Sequence, residues 1–179
     1  FNRELQLLNN TISHNQKLIY FSTVMSSIVD NDYCNHKVYI ENHIKQNVNN
    51  YIIFKLPQVV GVNGNIHNIF NALKQKAKTG EDITVYHNVN RSFIDIVDVY
   101  KIVKYCIPKI NNDTINIAGI EEKSVLEIVT FMLSELQSKS VVKITKDHKV
   151  LNPILSNSNI VDLSIKDLKI DRHNYTFKK

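Results

Sequence analysis

Two short apolar runs constrain the fold of this 179-residue chain more than any other feature. They are KLIYFST at 17–23 and YIIFKLP at 51–57, and a helical pattern from about Tyr33 to Gln46 lies between them. Apolar runs of this length, rich in β-branched and aromatic residues, are typical of strands buried on both faces of a parallel sheet. The pattern therefore predicts a strand–helix–strand unit.

The rest of the chain continues this alternation of helix and strand. Gly80 is predicted to cap a helix, and Ser124 with Glu127 forms a capping box at the start of another. The predicted helices are 3–13, 66–80, 95–106 and 124–136, the further strands are 83–87, 114–119 and 141–145, a loop covers 61–65, and an irregular tail follows. This order predicts an α/β fold with a mostly parallel sheet.

Composition excludes several classes of function. A hydrophobic fraction of 43% with 22% charged residues is typical of a soluble globular protein. The net charge of +5 comes from 19 lysines and three arginines that are scattered among acids, so no nucleic-acid partner is expected. No run approaches about eighteen apolar residues, so no membrane partner is expected either. Cys34 and Cys106 lack metal-ligand spacing, which indicates a reducing, cytoplasmic location and no metal site.

The chain also lacks features that a complete α/β domain of this kind would have. It contains four glycines in all, too few and too dispersed for a glycine-rich loop after a strand. No strand pattern precedes the opening helix. The opening sequence FNRELQLLNN also does not have the basic and then apolar pattern of a secretory leader. We therefore expect the chain to begin midway through a larger α/β domain.

One constellation of polar side chains follows the first predicted strand. Ser22 and Thr23 end that strand, where open parallel sheets bind their ligands. Tyr33 and Lys37 follow, four residues apart, and so share one face of the predicted helix. The same face continues with Ile40, Ile44 and Val48. Lys37 thus turns toward the core and needs a function or a carboxylate partner; the alternative is a chance pair whose lysine extends to water.

This combination resembles the extended short-chain dehydrogenases/reductases, specifically the NAD(P)-dependent sugar-nucleotide epimerase/dehydratase/reductase family. Later segments are similar to that family in the same order. KLPQVVG at 55–61 stands where the family has R-x-x-N-x-Y-G, and RSFIDIVDV at 91–99 resembles its Arg–x–aromatic–Ile–x–Val–x–Asp segment. INIAG at 115–119 with KSVLEIV at 123–129 is similar to its strand, glycine and serine-initiated helix.

The resemblance implies a Rossmann-type dinucleotide-binding half and a smaller substrate-binding α/β subdomain. Residues 1–60 would hold the last part of the first half, and residues 61–179 mainly the second, interleaved with the Rossmann sheet. It further implies NAD or NADP as cofactor and a nucleotide-diphosphate sugar as substrate. Without the glycine-rich turn, we expect the isolated chain to bind the cofactor weakly. It would be marginally stable, aggregate, or pair its strand edges with another copy as a homodimer.

The family's motif assigns catalytic roles to three residues. Tyr33 would exchange a proton with a sugar hydroxyl or ketone, Lys37 would bind the nicotinamide ribose and favour the tyrosinate, and Thr23 would hydrogen-bond the reacting oxygen. Tyr33, Lys37 and Pro57 would contact the cofactor. Bringing a tyrosine from a pKa near 10 to about 7 takes ~4 kcal/mol, which a nearby ammonium and an oxidised nicotinamide could provide.

The substrate-binding residues implied by the resemblance are Gln58, Asn68 and Arg91. Arg91 would grip the diphosphate with its planar guanidinium; the alternative is a surface arginine paired with Asp95. Gln58 stands where the family usually has asparagine, and Asn68 lies early in the helix after the predicted loop.

Two departures narrow the implied activity. Val24 and Met25 follow Thr23 where the family's dehydratases have Asp-Glu, and the link from Thr23 to Tyr33 is shorter than in typical 4-epimerases. A keto-sugar reductase or an atypical epimerase is therefore favoured. The alternative is a non-catalytic fragment or ligand-binding remnant, which the missing glycine loop favours; a redox-sensing regulator is less expected, because such proteins often lack the Tyr/Lys pair.

Overall fold

A computed structural model describes residues 2–11, 16–61, 68–118, 121–146 and 156–170. Its helices are α1 (Asn2–Thr11), α2 (Asp32–Asn47), α3 (Ile69–Thr79), α4 (Ile96–Cys106), α5 (Val125–Glu135) and α6 (Asn159–Asp167). Its strands are β1 (Leu18–Thr23), β2 (Tyr51–Leu56), β3 (Gln58–Val60), β4 (Ile83–Tyr86), β5 (Asn90–Asp95), β6 (Asp113–Asn116), β7 (Glu121–Ser124) and β8 (Val142–Thr145), and a 3₁₀ turn covers Val24–Ser27.

The described residues fall into two compact units. The first unit is drawn from Phe1–Pro57, Val99–Ala118 and Leu155–Ile170. The second is drawn from Gln58–Asp98, Gly119–Ile154 and Asp171–Lys179. The chain therefore passes several times from one unit to the other. The assignment of residues 1–60 and 61–179 to cofactor and substrate halves stays a prediction.

The first unit contains a parallel sheet with the strand order β1-β2-β6. In its register Thr23 lies opposite Leu56, so the carboxyl ends of β1 and β2 are neighbours. Apolar side chains of α1, α2 and these strands form one core cluster: Leu8, Ile40, Ile44, Val48 and Ile53. The four-residue spacing on α2 places its apolar stripe on this sheet. The helix that carries Tyr33 and Lys37 is thereby fixed beside β1.

The second unit contains two small sheets. In one, β3 pairs parallel with β5, and β5 pairs antiparallel with β7; in the other, β4 pairs parallel with β8. Helix α3 ends at Gly80, whose φ of +77° is the left-handed conformation that glycine adopts most readily. Helix α5 begins with the capping box that Ser124 and Glu127 were predicted to form. The core of the second unit has two clusters of buried apolar side chains. One consists of Val60, Phe70, Phe93, Ile128 and Met132, and the other of Ala77, Ile83, Val85, Val89, Val125 and Val129.

The structure confirms the predicted α/β class and the longer elements. It adds three short strands, β3, β5 and β7, and a helix, α6, in the segment predicted to be an irregular tail. Helix α4 starts at Ile96 because the preceding six residues belong to β5. The predicted loop at 61–65 lies outside the described residues except for Gly61. Within the described ranges, no helix has both the length and the apolar content needed to cross a bilayer.

Both cysteines are buried free thiols of the first unit. Burial raises the pKa of Cys34 and raises that of Cys106 to about 11, although nearby Lys109 lowers it in part. Because the thiolate is the reactive form, we expect neither cysteine to react with iodoacetamide at neutral pH in the folded protein, and both to react in denaturant. Peptide mapping by mass spectrometry measures the labelling. Rapid modification of the folded protein at either position would contradict this packing.

Candidate active site

Thr23 is the last residue of β1 and caps the 3₁₀ turn that follows it. Its Oγ1 accepts a hydrogen bond from the Met25 N–H at 3.2 Å. Its carbonyl accepts one from Ser26 Oγ at 2.8 Å. A short hydroxyl side chain suits this capping position, and a hydroxyl that accepts in this way still has its own proton to donate. The backbone therefore orients the Thr23 hydroxyl as a donor.

Tyr33 and Lys37 lie in the first half of α2. The helix begins after Asn31, whose Oδ1 accepts from the Cys34 N–H at 2.8 Å. Tyr33 is 60% exposed, whereas Lys37 is largely covered. The residues that continue their face, Ile40, Ile44 and Val48, are buried. The predicted orientation of Lys37 toward the core is confirmed.

Lys37 has the carboxylate partner that its position requires. Its Nζ donates to the Tyr20 hydroxyl at 2.9 Å and to Glu4 Oε1 at 3.2 Å. Glu4 Oε2 lies 2.5 Å from His36 Nε2. The Lys37 ammonium also lies 4.8 Å from the centre of the Tyr20 ring, within range of a cation–π attraction. Helix α1 and strand β1 together hold this side chain.

These contacts keep Lys37 charged and Tyr20 neutral. Burial alone would lower the pKa of Lys37, but its contacts with Tyr20 and Glu4 outweigh this and raise it. Burial raises the pKa of Tyr20, against the opposing effect of Lys37. Burial also raises the pKa of Glu4, but hydrogen bonds from His36 and Lys37 bring it below its usual value. At neutral pH a full positive charge therefore lies on the Lys37 ammonium.

A second group of polar side chains, which we call the Glu41–Lys55 network, lies beside Thr23, and its two charged residues are buried. Glu41 Oε1 accepts from Ser22 Oγ at 2.5 Å and lies 3.1 Å from Ser26 Oγ. Glu41 Oε2 lies 3.1 Å from Lys55 Nζ, which donates to Ser27 Oγ at 2.9 Å. Glu41 is 3% exposed and Lys55 9%, so water does little to solvate either charge. The network links α2, β1, β2 and the 3₁₀ turn.

Pro57 and Gln58 lie where the chain leaves the first unit and enters the second. Pro57 directly follows β2, which pairs with β1. Gln58 is the first residue of β3, where its Cα partner is Phe93 of β5. Both side chains are partly buried. Pro57, predicted to contact the cofactor, and Gln58, predicted to contact the substrate, are thus adjacent in sequence.

Asn68 and Arg91 belong to the second unit. Asn68 caps α3: its Oδ1 accepts from the Phe70 N–H at 3.1 Å, and its Nδ2 donates to the Val59 carbonyl at 2.8 Å. Arg91 lies on β5, is partly buried, and donates from Nη1 to the Asn90 carbonyl at 2.8 Å. Burial lowers the pKa of its guanidinium. Arg91 is therefore partly buried, and its assignment to the diphosphate, with a surface arginine paired with Asp95 as the alternative, stays a prediction.

The predicted site residues are divided between the two units. The first unit contains Thr23, Tyr33, Lys37 and Pro57, and the second contains Gln58, Asn68 and Arg91. In the first unit, β1 and α2 pack together and bring the predicted catalytic residues onto adjoining elements. Among the described residues, no group of three His, Cys, Asp or Glu side chains is placed to hold a metal ion.

Several solved structures are similar to this chain. The dTDP-glucose 4,6-dehydratase of Bacillus anthracis in complex with NAD matches 97% of this chain and 61% of its own, with a TM-score of 0.74 and 13% identity. A GDP-6-OMe-4-keto-L-xylo-heptose reductase from C. jejuni matches 90% and 68%, with a TM-score of 0.70 and 14% identity. The UDP-glucose 4-epimerase of Thermotoga maritima with UDP-glucose matches 88% and 59%, with a TM-score of 0.68 and 14% identity.

This chain has the fold of these sugar-nucleotide enzymes. The fold implied by the resemblance to the extended short-chain dehydrogenases/reductases is thereby confirmed. The chain spans 61% of the dehydratase and 59% of the epimerase. No protein-family profile matches the sequence, and no curated protein does.

Four residues that surround the candidate site were not predicted from the sequence. They are Glu4, Tyr20, Glu41 and Lys55. One signal was present, because a lysine inside the apolar run YIIFKLP is expected to need a buried acidic partner. The position of Lys37 on an apolar stripe indicated a carboxylate as well. Neither signal identifies which carboxylate is the partner, since that depends on tertiary packing.

Removing the cation of the buried pair should be costly. We expect Lys55→Met to lower the free energy of unfolding by about 3–5 kcal/mol, because Glu41 stays buried without its counter-charge. Lys143→Met is the control, since Lys143 and its partner Asp82 are 63% and 50% exposed and such pairs contribute little. Urea unfolding measures both. Equal, small effects of the two substitutions would contradict a buried ion pair at Lys55.

Proposed function

We propose that these residues form part of an NAD(P)-dependent enzyme that acts on a nucleotide-diphosphate sugar as a keto-sugar reductase or an epimerase. One observation carries the proposal. Tyr33 and Lys37 lie one turn apart on a helix that packs beside β1, and β1 ends at Thr23. Solved proteins that share this fold include sugar-nucleotide dehydratases, epimerases and reductases.

Lys37 suits a cofactor hydroxyl. An ammonium has three N–H donors, and in the described part of the chain Tyr20 and Glu4 take two of them. The third would bind the nicotinamide ribose, with Pro57 at the end of β2 lining the same cofactor. When bound, the nicotinamide supplies the hydride chemistry. Lys37, Tyr33 and Pro57 therefore suit the nicotinamide end of the cofactor. The pyrophosphate end would need a glycine-rich turn, and the four dispersed glycines of the sequence form none.

Tyr33 and Thr23 would handle the proton at the sugar oxygen. The exposed Tyr33 phenol is accessible to a ligand, and Lys37 lies one turn further along the same helix. In the direction of reduction, Tyr33 gives its proton to the oxygen that becomes a hydroxyl; in the reverse direction it takes the proton back. Thr23, oriented by the Met25 N–H, donates a hydrogen bond to the same oxygen.

The second unit would bind the rest of the substrate. The partly buried Arg91 guanidinium has five N–H donors in one plane, and its bond to the Asn90 carbonyl restrains it. That geometry suits a diphosphate. Asn68 stands at the amino end of α3, where a helix favours an anion. Gln58, a partly buried residue, is assigned to the sugar.

The 3₁₀ turn favours reduction or epimerisation over dehydration. Val24 and Met25 occupy the positions after Thr23, and Val24 is buried. Hydrocarbon and thioether side chains provide no group for acid–base removal of water. The similarity to a dehydratase at 13% identity concerns the fold, so it does not oppose this choice. A homodimer and a cytoplasmic location remain predictions from the sequence.

A non-catalytic ligand-binding protein of the same fold is the second candidate. It is favoured by the engagement of Lys37 with Glu4 and Tyr20, since a lysine used for packing would make similar contacts. In that case sugar nucleotides would bind without turnover, and the Tyr33 hydroxyl would matter little.

Replacing Tyr33 tests the proposed chemistry. In the natural full-length protein, we expect Tyr33→Phe to lower kcat by at least about 100-fold because the proton-transfer group is lost, with NADH binding little changed. UDP-glucose, UDP-N-acetylglucosamine, dTDP-glucose and their 4-keto derivatives serve as substrates, followed by NAD(P)H absorbance and product chromatography. Tyr39→Phe is the control, since Tyr39 is also an exposed tyrosine of α2. Near-normal turnover of Tyr33→Phe would refute the assignment, and binding without turnover in the parent would support the second candidate.

Replacing Arg91 tests the substrate side. We expect Arg91→Ala to raise KM for the sugar nucleotide at least about tenfold, because a charge-assisted hydrogen bond contributes about 1.5–3 kcal/mol, while cofactor affinity stays unchanged. Arg91→Lys keeps the charge without the planar fork and should restore part of the affinity. Steady-state kinetics with the same substrates provide the KM values. An unchanged KM in Arg91→Ala would leave Arg91 with a structural role alone.

A further inference from the structure

The Glu41–Lys55 network lies close in sequence to three residues that the first unit contributes to the candidate active site, Thr23, Lys37 and Pro57. Ser22 directly precedes Thr23 on β1. Glu41 follows Lys37 by one turn of α2, and Lys55 precedes Pro57 by two positions at the end of β2. Ser22 and Lys55 are also Cα partners in the register of the sheet. The network therefore joins three elements at the point where each carries a site residue.

The hydrogen bonds run from the network directly to Thr23. Ser26 has one hydroxyl proton, which it shares between Glu41 Oε1 at 3.1 Å and the Thr23 carbonyl at 2.8 Å. Lys55 holds the next residue of the turn through Ser27 Oγ. The backbone of this turn supplies the Met25 N–H that orients the Thr23 hydroxyl. The chain of contacts runs from Lys55 and Glu41 through the turn to Thr23.

Stability alone does not account for two buried charges at this place. A well-packed apolar pair of similar volume is often as stable as a buried ion pair or more so, because the charges must be desolvated. An ion pair differs in requiring one specific arrangement of its two elements. The 3₁₀ turn packs through the buried side chain of Val24, which is apolar and sets no precise position, whereas Ser27 is exposed. The network adds to this packing the directional polar contacts that link the turn to Glu41 of α2 and Lys55 of β2.

We propose that Glu41 and Lys55 are positioning residues, which hold the Thr23 hydroxyl in its place relative to Tyr33 and Lys37. This inference rests on the proposed function, because it is there that Thr23 is given a role in the reaction. Neither residue touches the reacting atoms. Their effect passes through Ser22, Ser26 and Ser27 to the turn that Thr23 caps.

A double substitution separates positioning from stability. Glu41→Leu with Lys55→Met removes both charges and leaves apolar side chains, so the urea midpoint should stay near that of the parent protein. We expect kcat of the full-length enzyme to fall roughly 10- to 100-fold, since a displacement of about 1 Å can cost that much, with KM and NADH binding little changed. Asp82→Asn with Lys143→Met, at an exposed pair, is the matched control. Lys55→Arg keeps the pair and should keep most of kcat.

A mutant cycle that combines this double substitution with Thr23→Val shows whether the loss of kcat passes through Thr23. In a Thr23→Val background, the double substitution should lower kcat little further, because the positioned hydroxyl is already absent. If the fold-loss of kcat in the combined variant equals the product of the losses from Thr23→Val and from the double substitution, the inference is overturned. A kcat of the double variant equal to that of the parent would overturn it as well.

Amide exchange provides a readout that does not depend on activity. We expect the Met25 amide to exchange about tenfold faster in the double variant, at unchanged global stability, as the turn loosens. If the parent turns over none of the sugar nucleotides, the proposed function fails, and Met25 exchange alone decides whether the network holds Thr23. Unchanged exchange would overturn the inference. If the double variant does not fold, Ser26→Ala, which removes one hydroxyl, undergoes the same exchange and kcat measurements with the same expected directions.

Discussion

The buried pair of Glu41 and Lys55 constrains the first unit more tightly than its apolar contacts do. Lys55 lies in β2, the middle strand of a parallel sheet, and a cation there needs a carboxylate within the core. Helix α2 supplies it. An apolar stripe restrains which face of a helix meets a sheet, but tolerates small rotations and translations. The ion pair and its serine hydroxyls accept far fewer arrangements, so the helix that carries Tyr33 and Lys37 has a defined place beside Thr23.

Lys37 and Lys55 differ in how far the carboxylate that each contacts is exposed to solvent. Glu41, the partner of Lys55, has a side chain that is 4% exposed, whereas Glu4, the partner of Lys37, is 40% exposed. If Lys37 moves away, water can solvate the exposed carboxylate of Glu4. Water cannot readily solvate the buried carboxylate of Glu41 if Lys55 moves away. Lys55 is therefore fixed, and Lys37 can exchange a contact for a ligand at modest cost. This difference in solvation supports the proposed roles, a structural one for Lys55 and a ligand-binding one for Lys37.

Much of the first unit follows from its sequence, because β1 and β2 are strongly apolar and the otherwise polar helix α2 carries Ile40 and Ile44 at four-residue spacing. The strands that were missed depend on their partners instead: β7 has the polar sequence EEKS and is a strand because it pairs with β5. Among the site residues, Thr23, Tyr33 and Lys37 were singled out by their local spacing, and the roles predicted for them are those that the family resemblance implies. Glu4 lies 33 positions from Lys37, and no local pattern links two residues so far apart. Whether the predicted site residues act as assigned remains a proposal.

Two phenols compete for the proton-transfer role, and burial distinguishes them. Tyr20 contacts the Lys37 ammonium directly, which would favour its phenolate. Its pKa is nevertheless raised, because desolvation on β1 exceeds the effect of the cation. Tyr20 thus stays protonated and serves as a hydrogen-bond partner that orients Lys37. Tyr33 projects into solvent from α2, where a ligand can reach its hydroxyl. In the proposed mechanism, Tyr20 therefore orients the charge and Tyr33 transfers the proton.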